Sequence, residues 1–267
     1  MLRSLWTTTA FLVLMQTAAI AQEVVKGYYP SEYNELPYRI WGDEGDQNGP
    51  YGVVVYLHSA GESGSDNTRQ IVQNTEVLDS LTTYLERIGK KCLVIVPQCK
   101  FGWKWVNTDW TQGTYDSRVA GFSTALRSVA ELLSEVLERK DIDKERIYAI
   151  GVSMGGFGVW DLLHRFPSTF AAALPICGGA DTNLAAEIAK TPAWVWHGAG
   201  DMVVPTQASR DIVGKLQTLK ADVRYNEVVG EQHIVWPKVA RESTLFDWLF
   251  SHTKEQPELT VLPLRSL

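Results

Sequence analysis

Arg146-Ile147-Tyr148-Ala149-Ile150-Gly151-Val152-Ser153-Met154-Gly155-Gly156 is where the chain states its architecture most clearly. Residues 147–150 form a short apolar run, the pattern of a strand buried on both faces. Residues 154–165 then read as a helix, so Ser153 stands in a strand-to-helix turn inside a G-x-S-x-G pattern. Gly151 and Gly155 fall where strand and helix backbones pass too closely for a Cβ. A serine on so sharp a turn projects its hydroxyl above the end of the strand. The amide of Met154, at the start of the helix, points where negative charge would develop on a bound carbonyl.

The same alternation extends to both sides. Residues 52–57 and 92–97 are further buried-strand runs, and 171–176, 193–196 and 223–228 continue the series. Two earlier strands are expected near 24–29 and 36–41. Helices are expected near 71–89, 117–139, 206–219 and 237–251. Of these, 117–139 carries an apolar stripe, with Leu126, Val129, Leu132, Leu133, Val136 and Leu137 on one face. Strands alternating with helices specify an α/β fold: a mostly parallel, doubly wound sheet with helices on both faces. Ligands then bind at the carboxyl ends of the strands. No insertion is long enough to form a separate lid domain.

Residues 1–21 read as a signal peptide: Arg3, an apolar core around residues 10–15, and Ala19-Ile20-Ala21 before Gln22. An uncleaved anchor is the alternative, but Thr7-Thr8-Thr9, Gln16 and Thr17 interrupt the ~20 apolar residues a span requires. The expectation is therefore a single domain over 22–267, secreted or periplasmic, without a membrane anchor after cleavage. The composition is globular, 45% hydrophobic with a net charge of −6, and has no basic block for nucleic acid. The three cysteines, Cys92, Cys99 and Cys177, allow at most one disulfide and show no metal-ligand spacing. Cys99 and Cys177 both follow strands and are placed on the same sheet edge. Residues Lys254 to Leu267 have no clear period and read as a loose tail.

A nucleophilic Ser153 needs a base, and the base an orienting acid, expected in the order Ser, Asp/Glu, His. Of the five histidines, His233 alone lies in the loop directly after the last strand. His58 belongs to an earlier loop, His164 to the helix after Ser153, His197 to a strand end and His252 to the C-terminal region. Asp201, in the loop after 193–196, is the candidate acid, with Asp181 and Glu231 as competitors. The loop His58-Ser59-Ala60-Gly61 offers a second oxyanion donor beside the Met154 amide, from Ser59 or Ala60. His58, Trp103, Trp105, Trp110 and Trp236 are candidate substrate contacts. The tryptophans after residue 97 offer flat faces for a sugar or aromatic acyl group, and equally suit a loop folded on its own aromatics.

Five stretches now carry a resemblance: 57–62 with Asp66-Asn67, 96–99, 146–156, 175–179 and 197–201. The chain resembles the α/β-hydrolase superfamily, in its secreted esterase branch of polyhydroxybutyrate-depolymerase, feruloyl and acetylxylan esterase-like proteins, often labelled predicted peptidases. That resemblance implies a Ser153–Asp201–His233 trio, no metal and no cofactor. It implies an ester substrate, such as one linked to a polysaccharide. Two departures lie at the cleft: Ser59 stands where the family has glycine, and Gln232-His233-Ile234-Val235-Trp236 replaces a Gly-His pair. A peptidase on the same fold, or a carbohydrate-binding scaffold without catalysis, are the other classes the sequence admits.

Overall fold

The computed structural model describes residues 25–30, 35–42 and 49–254. The expected signal peptide and C-terminal tail lie outside the described residues, apart from the tail's first residue, Lys254. Among these described residues eight strands form one sheet: β1 Val25–Pro30, β2 Glu35–Trp41, β3 Tyr51–Leu57, β4 Cys92–Pro97, β5 Ile142–Val152, β6 Ala172–Ile176, β7 Ala193–Gly198 and β8 Val223–Val228. Their spatial order is β1-β2-β4-β3-β5-β6-β7-β8. The β1–β2 and β2–β4 pairs are antiparallel and every later pair is parallel.

Period two fixes which residue goes to which face. On β3, Val53, Val55 and Leu57 enter one core cluster, while Val54 and Tyr56 enter the other. The first cluster is closed by α3 (Thr124–Glu138), α4 (Met154–Arg165) and α6 (Gln207–Thr218). The second is closed by α1 (Glu76–Ile88) and α8 (Leu245–Ser251). Both faces of the sheet are thus covered, which is why β3 and β4 are buried at every position. On α3 the stripe Leu126, Val129, Leu132, Leu133 and Val136 is buried, each side chain contributing roughly 1.5–3 kcal/mol of transfer free energy.

Three expected helices are shorter or divided. The helix expected from 71 begins at Glu76, because residues 69–71 form a separate 3₁₀ turn and Asn74 is left-handed. The stretch 117–139 is broken into α2 (Ser117–Ala120) and α3. The chain turns at Gly121 (φ +67), and the Ser123 hydroxyl restarts the helix by accepting the Leu126 amide at 3.0 Å. The stretch 237–251 is likewise α7 (Trp236–Val239) and α8; between them the Glu242 carboxylate takes the Thr244 amide and hydroxyl. The remaining α5 (Ala185–Ile188) is a single turn after β6.

All three cysteines are free thiols. Cys99 and Cys177 do follow strand ends at the same edge, as expected. However, β3 and β5 separate their strands, which puts them ~14 Å apart at the usual strand spacing. A disulfide tolerates no more than about 7 Å between Cα atoms.

Candidate active site

The turn between β5 and α4 bears out its steric reading. Ser153 has φ +56 and ψ −115, a conformation a non-glycine residue holds only under constraint. The constraint is the close approach of neighbouring backbone. A Cβ on Gly155 would stand 1.9 Å from the Leu57 carbonyl oxygen, and one on Gly151 2.1 Å from that of Gly155. Held this way, the Ser153 hydroxyl donates to Nε2 of His233 at 2.8 Å. His233 Nδ1–H donates in turn to Asp201 Oδ2 at 2.7 Å. Three loops, after β5, β7 and β8, therefore converge on one hydrogen-bond relay across 80 residues of sequence.

Asp201 is held from several sides. Its Oδ1 accepts the amides of Val203 and Val204 at 2.8 and 2.9 Å. Its Oδ2 also lies 3.1 Å from Nε2 of His197, whose side chain is completely buried. Burial alone would raise this carboxyl. The hydrogen bonds from His197, His233 and the Val204 amide outweigh it and hold Asp201 well below the usual carboxylate range. The carboxylate is thus a fixed anion under the His233 ring. The competing acids are elsewhere: Asp181 accepts the amides of Ser117 and Asn183, and Glu231 pairs with Lys238 at 2.8 Å.

The loop after β3 faces the same turn. His58 is buried with both ring nitrogens occupied: Nδ1–H donates to the Ser59 carbonyl at 2.6 Å and Nε2 accepts the Cys99 amide at 2.9 Å. Burial pushes its pKa down to about 4, so it is a neutral brace. Buried Glu62 folds back on the loop, where its carboxylate accepts the amide and hydroxyl of Ser59 and an amide proton of Asn74. Desolvation nonetheless raises the Glu62 pKa. Glu62 thus engages Ser59, and Ala60 follows it in the same loop. Ala60 opens the 3₁₀ turn Ala60–Glu62, and a first-turn amide has no partner within its helix. The Met154 amide is in the same position at the start of α4.

Comparison with known proteins places this geometry. A family model described as phospholipase/carboxylesterase matches residues 45–244. The chain belongs to the phospholipase/carboxylesterase family. Among solved structures, this family member is similar to a thermostable esterase, with 31% identity and a TM-score of 0.76 over 86% of its own length. It covers 63% of that esterase, so it spans less than two thirds of the relative's chain. Esterase PE8, at 23% identity and TM-score 0.60, matches over 79% of this chain and 97% of its own. A ferulic acid esterase, at 14% identity and TM-score 0.63, matches over 86% and 98%. These last two show the shared α/β-hydrolase fold. No curated protein sequence matches the chain.

The tryptophans divide between core and surface in this phospholipase/carboxylesterase relative. Trp105 is fully buried, its Nε1–H donating to the His58 carbonyl at 3.0 Å, and so has no face for a ligand. Trp236 is buried edge-on to the His233 ring at 5.7 Å. Trp110 is half-buried beneath the Lys104 ammonium. Trp103 alone of the four is substantially exposed, at 37%. It lines a cavity of about 460 Å³ with Lys104, Asn107, Asp109 and Ser123. That cavity lies between the loop after β4 and the start of α3, and its lining includes neither Ser153 nor His233. Sequence reasoning missed one partner of the relay, His197, read as shaping its own loop, and did not single out Glu62, which braces the loop after β3. The signal for His197 was its place four residues before Asp201, in one tight turn.

Proposed function

We propose that this family member is a serine carboxylic ester hydrolase working through Ser153, His233 and Asp201. The continuous relay from Ser153 Oγ through His233 to Asp201, at 2.8 and 2.7 Å, carries the reading. Ser153 attacks the ester carbonyl as His233 Nε2 takes its proton. Asp201 keeps the other ring proton on Nδ1 and stabilises the imidazolium. The amides of Met154 and Ala60 receive the oxyanion. His233 then protonates the leaving alcohol, and a water repeats the sequence on the acyl-enzyme. No step calls for a metal or cofactor.

For the substrate we propose feruloyl or acetyl esters borne on plant polysaccharide, met after export. The cavity at Trp103 supports this reading, since an indole face ringed by amide, carboxylate and hydroxyl groups suits a sugar ring. Exposed Phe101, Trp103, Met202, Val203 and Ile234 all stand on loops at the carboxyl edge, where an aromatic acyl group would lie. The test is turnover of p-nitrophenyl acetate, methyl ferulate, acetylated xylan and a peptide anilide, each with Ser153→Ala as control. Ser153-dependent release of ferulate or acetate from the natural esters is expected. Preferred cleavage of the anilide would replace the esterase by a peptidase, and binding of xylan without turnover would leave a carbohydrate-binding scaffold.

A further inference from the structure

Cys177 is a buried nucleophile that the hydrolytic cycle does not use. It directly follows β6, in a left-handed conformation (φ +50), and its thiol donates to the His233 carbonyl at 3.4 Å. Its sulfur, a carboxylate oxygen of Asp201 and a ring nitrogen of His233 all lie within 4.8 Å of one another. The His233 nitrogen that faces Asp201 is Nδ1. Thiolate, imidazole and carboxylate together form a borderline-soft donor set, which suits zinc-class ions rather than magnesium or calcium. Bonds of about 2.0–2.3 Å to these donors require them to draw in by only about an ångström. The imidazole side chain retains 15% exposure, whereas that of Asp201 is fully covered. Sequence spacing could not show this site, because its ligands come from three different loops.

We infer that Cys177, Asp201 and His233 form an inhibitory site for a zinc-class divalent cation. The ion binds Cys177 as thiolate, Asp201 as carboxylate and His233 through Nδ1. The thiol proton leaves to solvent, and the ring proton moves from Nδ1 to Nε2. Nothing is oxidised or reduced. Two ligand charges cancel the two charges of the ion, so the buried cluster passes from −1 to neutral, an arrangement burial favours. A ring metallated at Nδ1 carries its proton at Nε2 and cannot accept the proton of Ser153. The hydrolase is thereby switched off with its serine intact.

The inhibition rests on Ser153 and His233 being nucleophile and base; the binding does not. Zinc binding to the intact protein is measured by competition with a chromophoric chelator, beside inhibition of p-nitrophenyl acetate hydrolysis. We expect one zinc per chain, inhibition reversed by EDTA, and full binding retained in Ser153→Ala. Cys177→Ser keeps a hydroxyl donor to the His233 carbonyl but offers a poor zinc ligand. It should hydrolyse normally while affinity and inhibition both weaken by about 100-fold or more, as should Cys177→Ala. Cobalt should give a thiolate charge-transfer band in the intact protein and none in Cys177→Ser. Equal zinc affinity in the intact protein and both cysteine variants, or no thiolate band, would overturn the site. Cysteine-dependent binding in a protein without esterase activity would uphold the site and remove the catalytic reading instead.

Discussion

Gly198→Ala should cripple the relay from outside it. Gly198 ends β7, and a Cβ there would lie 1.8 Å from the Gln232 carbonyl oxygen and 3.0 Å from that of Glu231. A carbon and a carbonyl oxygen approach no closer than about 3.3 Å without strain, so Gln232 must retreat by ~1.5 Å. Gln232 precedes His233, and the retreat carries the imidazole with it. Hydrogen bonds of 2.8 Å to Ser153 and 2.7 Å to Asp201 then stretch beyond the range in which they hold. Misplacement by an ångström costs about 100-fold in rate, so kcat/KM for p-nitrophenyl acetate should fall at least that far, about 2.7 kcal/mol of transition-state stabilisation. Overpacking adds about 1–3 kcal/mol of destabilisation, visible as a lower Tm. Gly200→Ala is the control on the same loop: its Cβ would meet the Glu231 carbonyl at a tolerable 3.3 Å. It should keep activity within about threefold, the range of an ordinary surface change. A Gly198→Ala protein with wild-type Tm and activity within threefold would refute the steric argument.

Asp201→Asn should leave the fold intact and lower kcat by on the order of 10⁴-fold, since an amide no longer enforces the Nδ1–H tautomer; single-turnover kinetics check this, and a loss under tenfold would remove Asp201 from the relay. His197→Ala empties a buried position, removing contacts to Asp201, Val204 and Ser209. Urea unfolding should show a loss of about 2–5 kcal/mol, and a change below 1 kcal/mol would contradict the buried network. Glu62 gives a pH test of sign. Because its folded pKa is raised, its contribution is full below the ordinary glutamate value near 4.3 and is lost as pH rises through the folded value. The Tm of the wild type relative to Glu62→Gln should therefore decline as pH is raised from 4 toward 7, and a flat difference would argue against desolvation.

The sequence by itself determined the layered α/β architecture, because apolar runs such as residues 52–57 and 147–150 are what a doubly covered sheet demands. It also named Ser153, whose turn is written in the adjacent glycines, and placed His233 and Asp201 by strand order. Local chemistry could divide a helix unseen: the stripe over 117–139 runs through, yet Gly121 and Ser123 end one helix and cap another. What only the tertiary structure decided were contacts between loops distant in sequence. Trp105 and Trp103 stand two residues apart, but one is core and the other faces solvent. Ser59 and Ala60 were equal oxyanion candidates in the sequence, which could not show that buried Glu62 engages Ser59. His197 reaches Asp201 from the end of β7 itself, while Cys177 reaches the His233 carbonyl from the end of β6. Strand periodicity is a property of neighbours along the chain, whereas the partners of a buried carboxylate are set by how strands order across the sheet.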